Sequence, residues 1–80
     1  MADASEKSTV DALIRAGREL FAAHGYDGTS VRALTNAAGT NLGAVTYHFG
    51  SKREFYGQVL ASVMNPLADA IIAAVGSAGT

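Results

Sequence analysis

Between Thr40 and Lys52 the chain reads TNLGAVTYHFGSK, and this stretch concentrates its hydrogen-bonding chemistry. Thr40 and Asn41 bring a hydroxyl and an amide, Thr46 a second hydroxyl, Tyr47 a phenol, His48 an imidazole and Lys52 an ammonium group. These groups are not set out as a catalyst. No carboxylate or nucleophile stands near the Tyr-His pair in sequence, so the pair reads as recognition or packing rather than part of a triad. Cysteine is absent, which removes thiolate metal sites and disulfide scaffolds. The chemistry left is hydrogen bonding to phosphate oxygens and base edges, with Lys52 as a point charge.

Such groups need rigid elements to aim them. Ser30–Ala38 reads as a short helix closed by Gly39, and Asn41–His48 as a second one. Two short helices joined by a tight glycine turn are the geometry that seats one helix in the DNA major groove while the other braces it. On this reading Leu42, Gly43 and Ala44 form the groove-facing first turn, with Ala44 placed to meet a thymine methyl. Thr40 is expected on a phosphate, and Asn41 either caps the helix or contacts bases. Tyr47 and His48 end the helix beside the backbone of the duplex.

Flanking residues extend the surface. Thr29 and Ser30 open the earlier helix, where free N–H groups and the helix dipole favour a phosphate; simple N-capping is an equal reading. Arg32 faces solvent one turn on, within reach of a guanine edge or a phosphate. Lys52 opens the fourth helix, where a cation opposes the dipole unless an anion faces it. Arg53 reads equally well as a surface residue.

A formal charge of −1 argues against nucleic acid until it is divided along the chain. Residues 28–53 carry Arg32, Lys52 and Arg53 and no acid, while Asp and Glu gather on either side. Positive charge therefore collects on the tandem, as a phosphate-facing surface requires.

The supporting helices follow from periodicity. Val10, Leu13, Ile14, Gly17, Leu20, Phe21 and His24 make a helical stripe over Thr9–His24, capped by Ser8 or Thr9 and stopped by Gly25. Gly17 lies on that stripe, which predicts close approach of a neighbouring helix. Residues 26–29 make a turn. Val31, Leu34 and Ala38 face inward on the second helix, and Val45 and Phe49 on the third. Ser51 with Glu54 is a capping box for the fourth. That helix turns Phe55, Tyr56, Val59, Leu60, Val63 and Met64 to one side, and Pro66 is expected to kink or end it.

These elements make an all-α fold: a three-helix bundle containing a helix-turn-helix, plus a long fourth helix. The expected organisation is a flexible arm over 1–8, the DNA-binding unit over 9–51, and a connecting helix over 52–75. Eighty residues make one domain at most, and 49% apolar residues with 16% charged favour folding over disorder. No signal-peptide layout opens the chain, and no apolar run near the ~18 residues of a membrane span is read from it. A soluble cytoplasmic protein without a membrane partner is expected. Leu67, Ile71, Ile72 and Val75 find nothing left in the chain to cover them, so a partner chain or a further domain is expected there.

GYDGTSVRAL, then AAGTNLGAVTYHFGSK, then a long amphipathic helix, resembles the N-terminal domain of the tetracycline-repressor-like (TetR) transcription regulators from about Val10 to Met64. The GY turn, T-S cap, A-G turn and YHF-x-S-K junction carry the resemblance collectively. It implies a homodimeric repressor binding palindromic double-stranded DNA through its third helix. It also implies a separate C-terminal domain that binds a small-molecule inducer, with no cofactor in this chain. The family usually carries Ala where Thr35 stands, so Thr35 must satisfy its hydroxyl. Leu42 replaces an often polar residue, and Thr46 a common Tyr. A different class remains as the alternative: a protein–protein interaction module docking through Tyr47, His48, Phe55 and Tyr56.

Overall fold

A computed structural model gives the backbone of residues 4–78 and the side chains of 5–67 and 69–76. Four helices follow one another: α1 Ala4–His24, α2 Val31–Ala38, α3 Ala44–Phe49 and α4 Lys52–Ala78. Among the described residues there is no strand.

α1 starts earlier than the sequence reading placed it. Residues 4–8, expected in a flexible arm, are helical, and the remainder of that arm lies outside the described residues. Ser8 and Thr9 therefore sit inside the helix rather than capping it. The Thr9 hydroxyl donates back to the Ser5 carbonyl at 3.0 Å, which lets a cap-type residue stay within a helix. Glu6 in the first turn suits the dipole. At the other end Gly25 adopts φ 78° and its N–H meets the Phe21 carbonyl at 2.8 Å, closing α1 after His24.

α2 forms as its sequence predicts. The Ser30 side chain accepts the Ala33 N–H at 3.0 Å. Gly39 at φ 71° then ends the helix, with its N–H on the Asn36 carbonyl and the Thr40 N–H on the Thr35 carbonyl. That pair of bonds is a Schellman closure.

α3 begins three residues after the expected Asn41. Residues 41–43 form a turn instead, closed by the Ala44 N–H on the Asn41 carbonyl at 3.1 Å. Gly50 ends α3 and Ser51 starts α4: its hydroxyl accepts the Glu54 N–H at 3.1 Å and donates to the Glu54 carboxylate at 3.4 Å.

Pro66 neither ends α4 nor leaves a bare carbonyl behind. A proline has no N–H for the carbonyl four residues earlier, here that of Ser62. The Arg18 guanidinium fills the gap, donating from Nη2 to that carbonyl and from Nε to the Ser62 hydroxyl, both at 3.1 Å. The helix thus continues through Pro66 while α1 holds it.

Leu13, Phe21, Leu34, Val45, Phe55 and Val59 meet in one core, with Ala44 packed among them. At Gly17 α1 and α4 approach closely. A Cβ there would lie 2.6 Å from Cγ2 of Val59 and 3.0 Å from Cζ of Phe55, so the helices could not cross this tightly over any larger residue. Past Val59 no α4 side chain is buried among the described residues, and beyond the Arg18–Ser62 contact Val63, Met64, Leu67, Ile71, Ile72 and Val75 are exposed.

By length and composition, Lys52–Gly76 is apolar enough to cross a membrane, which corrects the reading that no run approached that length. Its first turns serve another purpose, since Phe55 and Val59 are buried in the core.

Candidate nucleic-acid interface

The outer surface of the tandem is built by what the core takes away. Six-residue α3 is too short to persist alone, because helices below ~12–15 residues are marginal in water. It is held by turning Ala44 and Val45 inward and by setting Phe49 edge-on to Phe55, with ring centroids 4.8 Å apart. Helical periodicity then sends Thr46 and Tyr47 outward. Tyr47 is 75% exposed and Leu42 in the preceding turn 49%.

Thr40, Asn41, Gly43, Tyr47 and His48 line one open cleft together with Ser5, Glu6 and Thr9 of α1. The first five are all residues the sequence assigns to the candidate surface, whereas the α1 wall is not among its assignments. Its signal was weak, because a segment taken for an unstructured arm has no face to assign. His48 is half-buried, with the Tyr47 ring edge-on at 4.8 Å.

Gly43 is exposed at φ −79°, ψ −6°, a conformation open to any residue. A Cβ there would make only ordinary contact, 3.6 Å from Oδ1 of Asn41. Nothing among the described residues therefore requires glycine at this position. The space it leaves lies on the outside.

Two expected contacts are corrected, and a third residue is found with an additional partner. Ala44 is only 5% exposed, so its methyl packs in the core and cannot meet a thymine methyl. Thr29 is buried as well, and its hydroxyl lies 2.8 Å from the Gly25 carbonyl and 3.1 Å from that of Leu20. It ties the α1–α2 turn to α1 rather than facing a ligand. Lys52, expected to face a phosphate at the start of the fourth helix, is half-buried, and its Nζ also donates to the Tyr26 carbonyl at 2.7 Å.

Asn41, Leu42 and Gly43, expected in the first turn of the third helix, lie exposed in the turn that precedes it. Arg32 is exposed in the first turn of α2, and Ser30 caps that helix with its own backbone on the surface. Thr35 satisfies its hydroxyl by donating to the Val31 carbonyl at 3.0 Å, so it fits between α2 and its neighbours without an unpaired polar group. Arg53 is exposed and flanks a shallow hollow with Tyr26 and Tyr56.

The docking patch of the alternative reading does not exist as a surface. Phe55 is 0% exposed. Tyr56 is half-buried, its ring against Phe21 at 4.8 Å and Tyr26 at 4.9 Å. Among the described residues no group of histidine and carboxylate side chains could hold a metal ion.

Comparison with known proteins agrees with this geometry. Residues 13–59 match the profile of the bacterial regulatory proteins of the tetR family. The HTH-type transcriptional repressor AcnR of Corynebacterium efficiens is 41% identical over 44 residues, covering 55% of this chain and 23% of that protein. The uncharacterized HTH-type transcriptional regulator TtgW of Pseudomonas putida is 38% identical over 64 residues, covering 80% of this chain and 48% of the relative. The HTH-type transcriptional regulator SrpR of Pseudomonas putida is 36% identical over 64 residues, or 80% of this chain and 30% of its own length. No solved structure matches the chain. The chain thus spans from about a quarter to about half of the relatives it resembles. A surface cleft framed by a capped bracing helix and a short, core-anchored outer helix, together with a profile match over more than half its length, makes this chain a member of the tetR family of bacterial regulatory proteins.

Proposed function

We propose that this chain is the DNA-reading unit of a ligand-responsive transcriptional repressor that binds a palindromic operator as a homodimer. The observation that carries the reading is the outer surface of residues 40–47. It presents hydroxyl, amide and phenol groups around a glycine that the fold itself does not need. A groove wall approaching Gly43 closely accounts for that empty space.

The roles divide by chemistry. Asn41, Leu42 and Thr46 face the bases, Leu42 and the Thr46 methyl offering apolar contact to thymine and Asn41 its amide to adenine. Thr40, Tyr47 and His48 bond phosphate oxygens on one side of the groove. Ser30 and Arg32 at the start of α2 hold the opposite strand, where the helix dipole adds to the attraction. Lys52 meets a phosphate near the start of α4.

One such unit covers only a few base pairs, so specificity requires two copies spaced by about 34–36 Å or a multiple of it. The bare stripe of α4 leads toward a C-terminal domain that would hold the inducer and join the two copies, in the soluble, cytoplasmic setting of such regulators.

Selection of bound sequences from a random duplex pool tests the reading. Recovery of an inverted repeat, with affinity falling steeply between low and physiological salt, is the expected result. Recovery of no sequence, with no salt-dependent binding even at low ionic strength, would refute it.

A further inference from the structure

We propose that Tyr26 is a positioning residue for DNA binding: its carbonyl and ring together hold the Lys52 ammonium group for a phosphate contact. This rests on the reading that the start of α4 faces the duplex.

Lysine carries a long flexible stem, and fixing it costs rotamer entropy whenever it makes a contact. Here two features of one residue have already fixed it. The Lys52 Nζ donates to the Tyr26 carbonyl at 2.7 Å and lies 4.2 Å from the centroid of the Tyr26 ring. An ammonium group has three N–H donors. The carbonyl takes one and the ring face attracts the cation as a whole, so donor capacity remains for an anion outside.

The platform is itself immobilised. The Tyr26 ring stacks on Phe21 at 6.1 Å with 15° between planes, and meets Tyr56 edge-on at 4.9 Å. Gly25 at φ 78° and Gly28 shape the turn that carries it, and a Cβ on Gly28 would strike the backbone carbonyl of His24. The same Tyr26 carbonyl also receives the Thr29 N–H at 3.4 Å, just before the α2 cap. Ammonium, turn and α2 start are therefore one assembly. Lys52 is not an awkward cation at a helix N-terminus but one already compensated from the side.

The arrangement separates two quantities that salt titration reads independently. The number of phosphates neutralised sets the slope of log affinity against log salt, at about 0.9 per contact. Preorganisation of the cation changes affinity without changing that count. Disturbing Tyr26 should therefore weaken binding while the slope stays, whereas removing Lys52 should lower both.

Anisotropy of a fluorescein-labelled mixed-sequence duplex, titrated with the protein at a series of salt concentrations, makes the test. Lys52→Met is expected to reduce the slope by about 0.9. Tyr26→Phe keeps both carbonyl and ring and should bind within about twofold of the unaltered protein. A trifluorinated phenylalanine at position 26 keeps the shape but removes the negative ring face; binding should weaken about threefold with an unchanged slope. Tyr26→Leu should weaken it at least as much. In the Lys52→Met background neither change at position 26 should matter.

If the fluorinated ring binds like phenylalanine, or if Tyr26→Leu weakens binding equally with and without Lys52, the positioning role is overturned and Tyr26 is only packing. A Lys52→Met slope equal to that of the unaltered protein also overturns it, leaving Lys52 as an internal staple while DNA binding itself stands. Absence of salt-dependent binding by the unaltered protein instead removes the underlying reading, and the inference with it.

Discussion

The two helices of the tandem are held in opposite ways. α2 supplies its own ends, with Ser30 capping its start and a Schellman closure at Gly39, and buries Leu34 and Thr35 between them. α3 has neither device at its start: Gly43 makes no side-chain cap bond, and the helix persists because Ala44 and Val45 are anchored in the core. The difference separates bracing from reading. α2 closes both of its own ends with hydrogen bonds, while α3 owes its start to neighbours and keeps its outer face unoccupied.

The comparison breaks most severely at Phe55, which is fully buried and supports Phe49 at the end of α3. Phe55→Ala should cost about 3–5 kcal/mol, a large share of the stability of so small a domain. Thermal unfolding followed by circular dichroism should show the cooperative transition shifted far down or lost, and duplex binding with it.

A smaller effect is expected at the crossing of α1 and α4. Gly17→Ala pushes a methyl against Val59 and Phe55. Overpacking of this kind costs about 1–3 kcal/mol, partly offset by up to ~1 kcal/mol from better helix propensity. The melting midpoint should fall by several degrees, and an unchanged or raised midpoint would mean the crossing is looser than described.

Ser30→Ala sharpens the contrast at α2 alone. Losing the cap should cost ~1 kcal/mol, measured by denaturant titration, and faster amide exchange should be confined to the first turn of α2. The smallest stability changes belong to the reading face. Gly43→Ala and Tyr47→Phe should each lie within ~0.5 kcal/mol of the unaltered protein. Both should nonetheless weaken operator binding, Gly43→Ala by closing the outer space and Tyr47→Phe by deleting a donor.

Much of this was readable from residue order where the signal was local. The α2 cap, the Gly39 stop, the Ser51–Glu54 box and the tight packing at Gly17 each announce themselves within a few residues. The failures share a cause, since each depends on a partner distant in sequence or on a choice between equivalent local bonds. Ser8 and Thr9 look like caps, but Thr9 bonds back to Ser5 and the helix runs on. Pro66 looks like a terminus, but Arg18 replaces the bond it lacks. Lys52 reads as a cation that only an outside anion could compensate, but Tyr26 lies 26 residues away and holds it. Ala44 looks groove-facing when α3 is taken to start at Asn41, but the helix opens at Ala44 itself, and the core takes its methyl together with the Val45 side chain.

The central claim is that the surface of residues 40–47 meets the duplex while the bare half of α4 does not. Amide chemical shifts followed by NMR during titration with a short operator duplex test it directly. The largest changes are expected at Thr40, Asn41, Leu42, Gly43, Thr46 and Tyr47, with smaller ones at Ser30 and Arg32. Changes concentrated at Met64, Leu67 and Ile71, with residues 40–47 silent, would contradict it.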